Sequence, residues 1–125
     1  MQARRVLIVD DDASVRKSLK RLVQAAGYDV EVFAGAREYL AQGAVGGHAC
    51  LVLDVRMPEV SGLELMGMVA GTALGRPVVL ITGHGDEALR AQGLARGAVA
   101  VLDKPVEETV LLAAIERALD QSPGA

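Results

Sequence analysis

Four times along this chain a short, uninterrupted apolar run ends at a polar residue: Val6-Leu7-Ile8-Val9 at Asp10, Leu51-Val52-Leu53 at Asp54, Val78-Val79-Leu80-Ile81 at Thr82, and Val99-Ala100-Val101-Leu102 at Asp103. A strand with one wet face alternates apolar and polar residues, whereas a continuous apolar run suits a strand buried on both faces. Such strands need layers above and below them. The segments between the runs supply those layers.

After Asp10-Asp11-Asp12, the residues Val15, Leu19, Leu22, Val23 and Ala26 recur at helical spacing until Gly27 stops them. Tyr28-Asp29-Val30-Glu31-Val32-Phe33 alternates apolar and acidic residues, the pattern of a less buried strand at the sheet edge. A short helix is expected over 36–41, then a glycine-rich loop with Gly43, Gly46 and Gly47, in which His48 reads as solvated. Ser61-Gly62-Leu63-Glu64 has the form of a capping box, so a helix starts at about Gly62. Gly67 and Gly71 would each cost that helix roughly 1 kcal/mol relative to Ala and keep it short. Asp86 is a sound N-cap for a helix to about Arg96, weakened by Gly93 and stopped by Gly97. An amphipathic helix bearing Val110, Leu112, Ile115 and Leu119 closes the chain. Strands alternating with helices give an α/β fold: a parallel sheet wrapped on both faces by right-handed crossovers. Residues 1–120 read as one domain, and 121–125 as a tail or the start of a linker.

Composition narrows the function classes. The 125 residues, 51% hydrophobic and 23% charged, suit one globular domain. No apolar stretch approaches the roughly 18 to 20 residues of a membrane span, and the start does not read as a signal peptide, so a cytoplasmic location is expected. A net charge of -3 without a basic cluster argues against gripping nucleic acid. One Phe, two Tyr and no Trp leave little to stack on a base or a flavin. The lone Cys50 opens an apolar run and reads as a small buried hydrophobe.

In a parallel sheet the ligand site lies beyond the carboxyl ends of the strands. The first strand delivers Asp10, Asp11 and Asp12 there, the third Asp54, the fourth Thr82 and the fifth Lys104. Singly each has an ordinary explanation: Asp12 as a helix cap, Asp54 as a turn-capping strand end, Thr82 bonded to backbone, Lys104 at the surface. Together they are hard to explain so, because adjacent acids repel and a fourth from another strand would be costly without a cation. Carboxylates, a hydroxyl and an ammonium at one rim form a site for a hard divalent cation and a phosphoryl group.

Four motifs in order resemble those of bacterial response-regulator receiver domains: Val9-Asp10-Asp11, Asp54-Val55-Arg56-Met57-Pro58 with Ser61-Gly62-Leu63-Glu64, Ile81-Thr82-Gly83-His84-Gly85-Asp86, and Leu102-Asp103-Lys104-Pro105. The resemblance covers about residues 4 to 120, and its wording is closest to receivers of nitrogen-fixation-type transcriptional activators. It implies a five-stranded sheet of order 2-1-3-4-5, as in flavodoxin-like and CheY-like folds. It further implies that Asp54 accepts a phosphoryl group from a sensor histidine kinase. Asp11, Asp54 and the Arg56 backbone carbonyl would ligate Mg²⁺, with Asp10 acting through a water. Lys104 would contact the phosphoryl oxygens, Thr82 would be the movable hydroxyl, and the Lys104-Pro105 bond would be cis. Arg56 and His84 match positions that tune dephosphorylation. The domain would catalyse only its own phosphoryl transfer and autodephosphorylation. Its output would be a changed surface on the fourth helix, fifth strand and fifth helix, through which it could dimerise or serve a transcriptional output domain. One departure stands out: Val101 occupies a position where the family usually has Tyr or Phe, which puts coupling to that surface in doubt.

Two other readings compete. A small Mg²⁺-dependent phosphatase of the haloacid-dehalogenase type would use Asp10 as nucleophile and Asp12 as acid/base, but it leaves Lys104-Pro105 unexplained. A degenerate receiver that only binds proteins is favoured by Val101 and opposed by the intact acids and lysine.

Overall fold

The computed structural model describes residues 4–43, 48–83 and 86–121. Its elements alternate strictly: β1 (Arg4–Val9), α1 (Ala13–Ala25), β2 (Asp29–Phe33), α2 (Ala36–Gln42), β3 (His48–Asp54), α3 (Gly62–Val69), β4 (Val78–Thr82), α4 (Glu87–Ala95), β5 (Ala100–Asp103) and α5 (Glu108–Gln121). The five strands are all parallel, in the order β2-β1-β3-β4-β5. The alternating segment is therefore at one edge, as its acidic residues required.

The continuous apolar runs serve two cores at once, because successive side chains of a strand point to opposite faces. Leu7 and Val9 of β1 join Leu51, Leu53, Leu80 and Val101 in a layer covered by α2 and α3, with Leu89 of α4 packed against it. Val6 and Ile8 join Cys50, Val52, Val79 and Ile81 beneath α1 and α5, through Leu19, Val23, Leu111 and Ile115. Cys50 is fully buried, and burial pushes its thiol up to about 12.

The local signals hold in detail. Asp12 caps α1 by accepting from the amides of Ser14 and Val15. Ser61 and Glu64 form the complete capping box of α3. Asp86 accepts from the Leu89 amide at 3.1 Å and caps α4. Gly27 and Gly97 follow α1 and α4 with φ of +98° and +99°, conformations open to glycine.

Three expectations need correction. Gly71 does not weaken α3, because it lies beyond the helix in a turn at φ +76°. Gly93 is more than a weak point in α4. A Cβ there would stand 2.6 Å from Leu80 Cδ1 and 3.1 Å from Val101 Cγ2, so its lack of a side chain lets α4 sit close to β4 and β5. On α5 the buried stripe is Leu111, Ala114, Ile115, Ala118 and Leu119, while Val110 is 45% exposed. The helix begins at Glu108, and its phase turns Leu111, not Val110, toward the sheet.

Candidate functional site

The site begins with how β1 ends. The Asp10 amide donates to the Phe33 carbonyl of β2 at 3.2 Å, so the chain stays in the sheet through the first acid and leaves it afterwards. Asp10 Oδ1 accepts from the Asp12 amide at 2.9 Å, and Arg16 Nη1 donates to the Asp10 carbonyl at 2.8 Å. These two bonds fix the turn that presents Asp11 to solvent.

Asp54 is the last residue of β3 and is only 4% exposed. Its Oδ1 accepts from the Arg56 amide at 3.3 Å, and its Oδ2 lies 3.5 Å from Lys104 Nζ. The following loop is clamped to the strand end. The Gly62 amide donates to the Val55 carbonyl at 2.9 Å, and a Cβ on Gly62 would stand 2.5 Å from the Asp54 carbonyl oxygen. The glycine at the start of α3 is thus required by close approach.

From the other side, the Lys104 amide donates to the Thr82 carbonyl at 2.9 Å, and the Lys104-Pro105 peptide is cis. Asp10, Asp11 and Asp54 each offer an oxygen within 4.8 Å of the others. Among the described residues, neither Asp10 Oδ2 nor Thr82 Oγ1 has a hydrogen-bond partner, although both are buried. Buried polar atoms are seldom left unpaired unless a ligand or ion completes them. Three convergent carboxylates, one oxygen of them orphaned, suit a hard divalent cation.

Electrostatics points the same way. Burial raises the Asp10 carboxyl above its ordinary value of 3.8; the amide hydrogen bond from Asp12 opposes the rise, and the Asp54 charge adds to it. Burial likewise raises Asp54, against the pull of Lys104. Two carboxylates held close in a dry site with one ammonium are short of positive charge, which a cation would supply.

The structure therefore brings together Asp10, Asp11, Asp54, Thr82 and Lys104. Asp12 spends Oδ1 on the helix cap, which speaks against its acid/base role in the phosphatase reading. His84 lies outside the described residues. Val101 is buried, and beside it a hollow of about 300 Å³ opens between β5 and the helices α4 and α5, lined by Arg90, Val106 and Val110 among others. Arg56 extends its guanidinium to Asp86, with Nη2 3.0 Å from Oδ2. Two arginines make contacts that were not expected from the sequence. Arg16 holds the Asp10 carbonyl, and Arg90 of α4 donates to the Val101 carbonyl while pairing with Asp103 at 2.9 Å. Arg16 follows the Asp12 cap by one helical turn, a placement that could have marked it; no local pattern marks Arg90.

The family model of the response regulator receiver domain matches residues 6–116. The transcriptional regulatory protein FixJ of Rhizobium meliloti is 40% identical over 113 residues, covering 90% of this chain and 55% of FixJ. Nodulation protein W of Bradyrhizobium diazoefficiens is 39% identical over 116 residues, or 93% of this chain and 51% of that protein. The chain spans about half the length of these curated relatives. Among solved structures, FixJ-N aligns with a TM-score of 0.91 at 38% identity over 100% of both chains. The response regulator StyR aligns at 0.86 and 42% identity, over 96% of this chain and 61% of that one. With the strand order, the acidic rim and the matched span in agreement, this chain belongs to the response regulator receiver domains of two-component systems.

Proposed function

We propose that this receiver domain carries its signal as a phosphoryl group on Asp54. The observation that carries the reading is the setting of that carboxylate: it is buried, 3.5 Å from Lys104 Nζ, and shares its rim with two further acids and the Thr82 hydroxyl, which has no hydrogen-bond partner among the described residues. An Asp54 oxygen attacks the phosphorus of a phosphohistidine on a sensor kinase; the new O–P bond forms as the N–P bond breaks, and the imidazole keeps the electron pair. Lys104 then faces the phosphoryl oxygens, and Thr82 turns its free hydroxyl to one of them. Asp10, Asp11, Asp54 and the Arg56 carbonyl would hold Mg²⁺, Asp10 through a water. When bound, the ion supplies the positive charge that the carboxylates and the incoming phosphoryl group lack. Beyond this self-directed transfer and the hydrolysis of the resulting aspartyl phosphate, which releases inorganic phosphate, the domain has no enzymatic role in this reading.

The curated relatives are about twice as long, and FixJ is named a transcriptional regulatory protein, which supports an output domain joined to this receiver and a cytoplasmic site of action. The face formed by α4, β5 and α5 is the surface through which the state of Asp54 would be read, in a dimer or against that output domain.

The test is intact mass after incubation with Mg²⁺ and acetyl phosphate. The wild type should gain one phosphoryl group, and Asp54→Asn none. A wild type that gains no mass, or an Asp54→Asn protein that gains as much, would overturn the assignment.

A further inference from the structure

Arg56 and Asp86 form a contact whose place matters more than its strength. The Arg56 amide already reaches Asp54 Oδ1, at 3.3 Å, so its side chain grows from the wall of the site. Its guanidinium, however, is turned away to Asp86 Oδ2, while Asp86 Oδ1 caps α4 through the Leu89 amide. One carboxylate thus joins two duties: it holds the arginine two residues beyond the acceptor, and it caps the start of α4, a helix of the output face. The Arg56 end of the pair is exposed, at 71%, and the Asp86 end half-buried, at 23%. Exposed ion pairs hold weakly and yield readily to a better partner. A phosphoryl group on Asp54 is such a partner, because it presents a dianion with three acceptor oxygens that a planar guanidinium can meet with two donors.

We propose that Asp86 is a positioning residue for Arg56. In the resting domain it keeps the guanidinium off Asp54; on phosphorylation Arg56 exchanges Asp86 for the phosphoryl group, and the N-cap of α4 loses its ionic partner. The exchange rests on the reading of Asp54 as acceptor. It gives this chain a route from the acceptor to α4 that does not need an aromatic at position 101.

The experiment is the lifetime of the phosphoryl group, followed by intact mass after removal of acetyl phosphate, in four proteins: wild type, Asp86→Asn, Arg56→Ala and the double variant. Asp86→Asn keeps an oxygen to cap α4 but releases the arginine, which should then shield the phosphoryl group and lengthen its lifetime by up to about fivefold, the ceiling for an exposed pair. In the Arg56→Ala background the same change should do nothing. Equal effects in both backgrounds, or none in either, would overturn the exchange while leaving Asp54 as acceptor. No phosphoryl mass in the wild type would overturn both. Thermal melting separates a folding defect from the effect, and Asp86→Ser, another N-capping side chain without the charge, should repeat the result.

Discussion

Asp10 is held in a dry rim with one carboxylate oxygen that no described residue satisfies, and burial raises its carboxyl above 3.8. Folding therefore tightens its hold on a proton, and linkage fixes the sign of the consequence. Without divalent cations, the stability the domain has at low pH should fall as pH rises from about 3.8 through the raised folded value, and stay low above it. Asp10→Asn removes the charge. It should stabilise the metal-free domain at about pH 7, because no buried charge has to form, with the gain vanishing in acid. Urea titrations at the two pH values check this, and a variant equally stabilised at both would contradict it. At this scale much was legible: a carboxylate ending an apolar run is visible in the chain, and Asp12 and Asp86 cap where their spacing said they would. The orphaned oxygens of Asp10 and Thr82 were not legible, because an absent partner is a property of three dimensions.

Helix α4 has Gly93 as its only buried residue, and it is held to β5 by the two contacts of Arg90. Its seating is thus polar at the rim and tight at one glycine, with Val101 below and a hollow of about 300 Å³ beside it. An aromatic at position 101 would have that hollow to swing from or fill; Val101 can offer only part of the roughly 1.5 to 3 kcal/mol that burying a large side chain supplies. Beryllofluoride activation should therefore change the dimer fraction less in the wild type than in Val101→Tyr, as read by sedimentation. An equal or larger change in the wild type would show that valine suffices. The sequence exposed this departure because position 101 falls inside an apolar run with fixed spacing to Lys104. It concealed Arg90, whose partners lie on another element, and it misplaced the stripe of α5, where Val110 and Leu111 are equally apolar and only the helix phase separates them.

For the molecule as a whole, an acidic rim that stores repulsion at rest should be stabilised by the ion that relieves it. At a Mg²⁺ concentration a hundredfold above its dissociation constant, unfolding should cost about 2.7 kcal/mol more than in chelator. Asp11→Asn should lose most of that increment, and a gain unchanged in that variant would place the ion elsewhere. Layer count, parallel pairing and the edge that bears the site were readable because period and polarity repeat along the chain; the full strand order came only with the family resemblance, and the split of the interior into two cores was implicit in the apolar runs. That split has an evolutionary consequence. The layer under α1 and α5 shares no residue with the layer under α2 and α3, so each can be repacked by substitution without unsettling the other. A lineage descended from this domain can change the packing under one pair of helices while inheriting the other, as long as the sheet and its acidic rim are kept.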